Sequence, residues 1–98
     1  MQPLFIFISY SRQDATIANE LARLLERGGH DPFIDRELLP GQQWKDILQK
    51  QIDRSHAFIY VLSPTSLTSE WCQWEFNEAL RQKKPIFPIK VQAYTDVP

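Results

Sequence analysis

The chain has 98 residues, 43% apolar and 23% charged, which limits it to one domain with a single modest core. Eleven basic and twelve acidic side chains leave a formal charge of −1, so no global field gathers nucleic acid or an anionic membrane. Cys72 is the single cysteine, which excludes an intramolecular disulfide. No apolar run approaches the roughly 18–20 residues needed to cross a bilayer, and the N-terminus lacks a basic segment followed by a long apolar one. The expectation is a cytoplasmic protein with neither nucleic-acid nor membrane partners.

In chain order, Leu4-Phe5-Ile6-Phe7-Ile8 is a continuous apolar run suited to a strand covered on both faces. Ser11-Arg12-Gln13-Asp14 has capping-box spacing. Ile17, Leu21, Leu24 and Leu25 follow at helical intervals, and Gly28-Gly29 supplies the stop. Pro32-Phe33-Ile34 reads as a short second strand, placed at an edge by its proline. A polar loop from Asp35 to Gln43 precedes a second amphipathic helix marked by Trp44, Ile47, Leu48 and Ile52, with Trp44 expected in the core. Ala57 to Leu62 is the clearest strand, halted by Ser63-Pro64. A third helix is expected from Ser66 or Ser69 to Lys83, with Cys72, Phe76, Ala79 and Leu80 inward. Ile86-Phe87-Pro88-Ile89 reads as a fourth strand at or near an edge. Short connections in a β-α-β-α-β-α-β order indicate a doubly wound parallel sheet, with ligands beyond the carboxyl ends of its strands.

Several uses of such a sheet are excluded. Three glycines, at 28, 29 and 41, cannot build a dinucleotide fingerprint or a phosphate loop. The ends of the first and third strands lack the aspartates of a phospho-acceptor site. His30 and His56 have no Cys or carboxylate at metal spacing and read as surface or loop residues, so no metal site is expected. The basic run Arg81-Gln82-Lys83-Lys84 reads as a solvated helix end that complements the dipole. Polar residues remain at one end of the sheet, and just beyond them lies Trp71-Cys72-Gln73-Trp74-Glu75. At helical spacing Trp71, Glu75 and Glu78 share a stripe beside the apolar one of Cys72, Phe76 and Ala79. That setting suits either a partly desolvated reactive acid or an ordinary ion pair with Arg12 or Arg36. Ser9 and Ser11 have no base at a workable position and read as loop and cap residues. Cys72 reads as packing.

Three blocks resemble the Toll/interleukin-1 receptor (TIR) domain family: Phe7 to Asp14; Asp35-Arg36-Glu37-Leu38-Leu39-Pro40-Gly41; and Ser63, Ser66 and Ser69 with Trp71-Cys72-x-x-Glu75. The resemblance covers nearly the whole chain, and the third block is of the bacterial and plant type. It implies one flavodoxin-like domain over residues 1–98, with strand order 2-1-3-4 and helices on both faces. The family's fifth strand and last helices are expected to be missing, which would make this a truncated member.

In the NAD-cleaving branch a glutamate breaks the nicotinamide–ribose bond, and the matching residue is Glu75. The resemblance thus implies an NAD+ glycohydrolase that releases nicotinamide and ADP-ribose or its cyclic form. NAD+ would be the substrate, with no cofactor, and self-assembly would activate the enzyme in a role such as bacterial antiphage defence. The substrate-binding set expected is Ser9, Tyr10, Ser11, Arg12, Asp14, Arg36 and Trp71, with Tyr10 or Trp71 stacking on a ring and Arg12 or Arg36 meeting the pyrophosphate. The assembly loop expected is Asp35, Arg36, Leu39, Pro40 and Gly41. The competing implication is a non-catalytic adaptor that signals through TIR–TIR contacts.

Overall fold

The computed structural model describes residues 2–34 and 42–91, of which 42–44 by backbone alone. The side chain of Trp44 and the loop holding Asp35, Arg36, Leu39, Pro40 and Gly41 therefore lie outside the described residues. The elements are β1 (Phe5–Ser9), a 3-10 turn (Arg12–Asp14), α1 (Ala15–Arg27), β2 (Asp31–Ile34), α2 (Gln42–Arg54), β3 (Ala57–Leu62), α3 (Pro64–Thr68), α4 (Glu70–Arg81) and β4 (Ile86–Lys90). The strands form one parallel sheet in the order β2-β1-β3-β4, as the family resemblance implies.

Alternation along each strand splits the core into two halves. Phe7, Phe58 and Tyr60 face one side and pack with Leu48 and Ile52 of α2 and Cys72 and Ala79 of α4. Ile6, Ile8, Ala57, Ile59 and Val61 face the other side, against Ala18 and Ala22 of α1. Stacked rings stiffen the first half: Phe7 lies 5.2 Å from Phe33 and 5.3 Å from Phe58, centroid to centroid.

The inward faces differ in detail from those the sequence predicts. Leu24, Ile47 and Leu80 were expected on apolar faces but are 60%, 40% and 52% exposed. In α1 the small side chains of Ala18 and Ala22 touch the sheet, so Leu21 and Leu25 flank the contact and Leu24 points away from it. On α4, Leu80 borders an open groove of about 560 Å³, lined also by Tyr60, Leu62, Leu67, Phe76 and Pro88.

Of the two starts expected for the third helix, Ser69 is the one observed, and a separate short helix precedes it. Ser63 opens α3 with a reciprocal capping box to Ser66, and Pro64 takes the first helical position. Ser69 then turns extended (φ −81°, ψ 121°), and its hydroxyl accepts the Cys72 amide to open α4. Ser11-x-x-Asp14, in contrast, is no capping box. Ser11 makes no side-chain cap bond, the 3-10 turn follows it, and α1 begins only at Ala15.

Both histidines have a backbone role at the amino end of the sheet. His30 Nδ1 accepts the Leu4 amide at 3.1 Å, and His56 Nδ1 accepts the Phe5 amide at 2.9 Å. The edge prolines fit by parity. Asp31 donates inward to Leu4 O and Val91 inward to Leu62 O, and alternate residues of a parallel strand bond to the same side. Pro32 and Pro88 therefore fall at positions whose N–H would point away from the sheet, so neither costs a ladder bond.

Candidate functional site

The candidate acid sits where the first strand ends. Ser9 is the last residue of β1 and faces the α2/α4 side of the sheet, in register with Tyr60 of β3. Its hydroxyl donates to Glu75 Oε1 at 2.6 Å, and the two residues are 1% and 5% exposed. Glu75 comes from the second turn of α4, whose start is fixed by the Ser69 cap. A strand end and a helix start, 66 residues apart in sequence, thus place one carboxylate at the carboxyl edge of the sheet in a nearly dry setting. Ser9 is therefore a strand residue that holds Glu75, where the sequence reading made it a loop residue.

The charge of Glu75 is felt by its neighbours. Burial, the nearby Cys72 thiol and Glu75 all push the Tyr60 phenol up, with burial foremost, against a lowering bond to Ser66. Burial also pushes the Cys72 thiol up, aided by the charges of Glu75 and Asp14 and opposed by the neighbouring Ser69 and Ser9 hydroxyls. Both groups stay protonated at neutral pH. Cys72, 1% exposed, has no thiolate character to offer.

A second buried carboxylate ties the loops together. Asp14, 4% exposed, accepts the Ser11 hydroxyl at 2.9 Å and the Ser63 hydroxyl on the same oxygen. Thr65 lies 2.6 Å from Ser11 Oγ. Because the Ser11 proton goes to Asp14, Thr65 must be the donor there. Asp14 and Ser11, expected to meet substrate, thus have internal partners that fasten the segment after β1 to the start of α3. The sequence reading missed this role for Ser63 and Thr65. The one local signal was Ser63-Pro64-x-Ser66, which marks a helix start but says nothing of Asp14.

The remaining expected residues are spread over different surfaces. Arg12 is exposed. Tyr10 packs against the α1 half of the core, on the opposite face of the sheet from Ser9 and Glu75. Trp71, 38% exposed, lies one turn before Glu75 and carries the Lys45 ammonium 5.7 Å from its ring centroid. Glu78, the next acid on the stripe, is bound by Arg81, Gln82 and Gln49. Those bonds, Arg81 foremost, lower its pKa to about 2 against the cost of burial. It is a fixed anion with no proton to exchange near neutrality. Among the described residues no three of His, Cys, Asp and Glu gather where they could hold a metal ion, and no helix is long and apolar enough to cross a membrane.

Comparison with known proteins places this geometry. The chain is 38% identical to human Toll-like receptor 1 over 71 residues, covering 70% of the chain and 9% of the receptor. It is 36% identical to Toll-like receptor 2 of Bubalus bubalis over 76 residues, covering 72% of the chain and 10% of that receptor. It therefore spans about a tenth of the length of these relatives. Among solved structures, the TIR domain of the Toll-related receptor TRR-2 from Hydra magnipapillata matches with TM-score 0.76 at 27% identity, over 95% of this chain and 74% of that one. The TIR domains of the activated Roq1 resistosome match with TM-score 0.74 at 26% identity, over 89% and 57%. The CMP N-glycosidase BcmB of Clostridium botulinum shares the fold at TM-score 0.74 and 17% identity, over 95% and 74%. The TIR domain family model (TIR_2) matches residues 6–98, and the chain belongs to the TIR domain family.

Proposed function

We propose that the domain cleaves the nicotinamide–ribose bond of NAD+, with Glu75 as the catalytic carboxylate. The observation that carries this reading is the Ser9–Glu75 pair: an acid held by a short hydrogen bond, almost out of water, at the carboxyl edge of the sheet. One carboxylate suffices chemically. A glycosidase acting on an ordinary sugar needs a second acid to protonate a poor leaving group, whereas nicotinamide is already cationic on the ribose and departs neutral. The electron pair of the breaking C–N bond stays on the ring nitrogen, and the positive charge passes to the ribose. An anion beside that carbon stabilises the oxocarbenium-like transition state, the more so in a dry site. Water then completes the hydrolysis, or an internal nucleophile closes the cyclic product. The exposed face of Trp71, one turn from Glu75, already binds the Lys45 cation, and a pyridinium ring is an equivalent guest. Arg12 and Arg36 are the guanidinium candidates for the pyrophosphate.

Concentrated protein incubated with NAD+ should release nicotinamide, followed by chromatography. Glu75→Gln, which keeps the shape and removes the charge, should lower the rate at least a hundredfold. Equal turnover by both proteins would remove Glu75 from the reaction.

The likeness to Toll-like receptors favours a second reading, a signalling module that acts through TIR–TIR contacts without turnover. Under it the protein self-associates while NAD+ stays intact at every concentration, and Glu75→Gln leaves association unchanged. Self-association belongs to both readings, and the residues proposed for it are Asp35, Arg36, Leu39, Pro40 and Gly41.

A further inference from the structure

Ser9 was expected among the substrate contacts, yet its side chain is spent inside the protein. Its single hydroxyl proton goes to Glu75 Oε1 at 2.6 Å, and the residue is 1% exposed. Its position is set by the sheet. β3 fixes it on one side through the Ser9–Tyr60 register, and the parity of β1 turns it toward α4. The hydroxyl is therefore a donor whose place does not depend on substrate.

We propose that Ser9 is a positioning residue, its hydroxyl fixing the Glu75 carboxylate in one rotamer and favouring its ionised form. An O–H···O bond of 2.6 Å to a carboxylate is charge-assisted. Losing it removes a preference for the anion worth about tenfold in the protonation equilibrium, or roughly one pH unit. This inference rests on the NAD+ reading for its catalytic half, while the effect on Glu75 itself is independent of any substrate.

Two titratable groups that feel the charge of Glu75 stay clear of the measurement. Tyr60 on β3 and Cys72 on α4 both have raised pKa values, so neither titrates between pH 3 and 8. Asp14, which shares the field at Cys72, is an aspartate whose carboxyl carbon resonates apart from that of a glutamate.

The experiment titrates Glu75 Cδ by 13C NMR in the unaltered protein, Ser9→Ala and Ser9→Thr, with thermal unfolding to establish that each is folded. Ser9→Ala should raise the Glu75 midpoint by about one unit, and Ser9→Thr, which restores the hydroxyl, should bring it back. With NAD+, the acid limb of kcat/KM should move by the same amount, and kcat should fall tenfold or more with KM little changed. An unmoved Glu75 midpoint in folded Ser9→Ala overturns the proposal. So does a moved midpoint with an unmoved acid limb. A moved midpoint with no turnover in any of the three proteins supports the action of Ser9 on Glu75 and defeats the NAD+ reading instead.

Discussion

Glu75 and Glu78 stand three residues apart on α4, and both are buried, but their partners assign them opposite tasks. Glu78 is ringed by Arg81, Gln82 and Gln49 and titrates near 2. A folded-state pKa below the ordinary value of 4.5 stabilises the fold fully above pH 4.5, and that share fades as pH falls toward 2. The exposed Arg81 end is screened by solvent, which leaves about 1–2 kcal/mol. Glu78→Gln should cost that much at pH 7 and flatten the acid limb of stability between pH 4.5 and 2, measured by denaturant unfolding across pH. Cys72 yields a second test. Its thiol, pushed up by burial, should resist iodoacetamide at pH 8 in the folded protein and react freely in guanidinium. Fast labelling without denaturant would contradict the burial described. At this scale the sequence showed Glu75 as an acid beside an apolar stripe. It could not show the Ser9 hydroxyl, because that contact depends on how β1 meets α4 and on no local pattern.

Helix ends carry the clearest element-scale tests. α1 and α4 close with the same pair of reversed hydrogen bonds: Gly29 N to Glu26 O and His30 N to Leu25 O in one, Lys83 N to Leu80 O and Lys84 N to Ala79 O in the other. The motif needs one left-handed residue. Gly29 supplies it at φ +87°, and Lys83 must adopt φ +59° with a side chain attached. Lys83→Gly should therefore stabilise the protein by about 1 kcal/mol, and Gly29→Ala should destabilise it by about as much. Gly28, at φ −79°, should accept alanine with little change. Ser63→Ala should cost about 2 kcal/mol, since it removes the α3 cap and one of the donors to Asp14. Thermal or denaturant unfolding checks each change. The four strands were legible as apolar runs, and the glycine stop of α1 was legible too. The separate turn of α3 before Ser69 was not, because serine is tolerated within helices as well as before them. Leu24 misled because periodicity alone cannot tell that Ala18 and Ala22 would bring α1 so close to the sheet.

For the molecule as a whole, the parallel sheet followed from short connections and the edge places of β2 and β4 from their prolines, while the full strand order came from the family resemblance. The structure adds the parity of those prolines: both occupy positions that face out of the sheet. On the side of β4 away from β3, backbone donors thus stand at Ile86 and Lys90 with a gap between them at Pro88. Among the described residues β4 is one margin of the sheet, and an incoming extended chain would find its central bond missing there. Among the described residues, Pro88 thus interrupts the row of donors on the side of β4 away from β3. Refitting that row with Pro88→Val should leave the monomer folded, yet shorten the lag before thioflavin-positive aggregate forms in concentrated samples. Backbone pairing along that margin would then hinge on a single imino nitrogen.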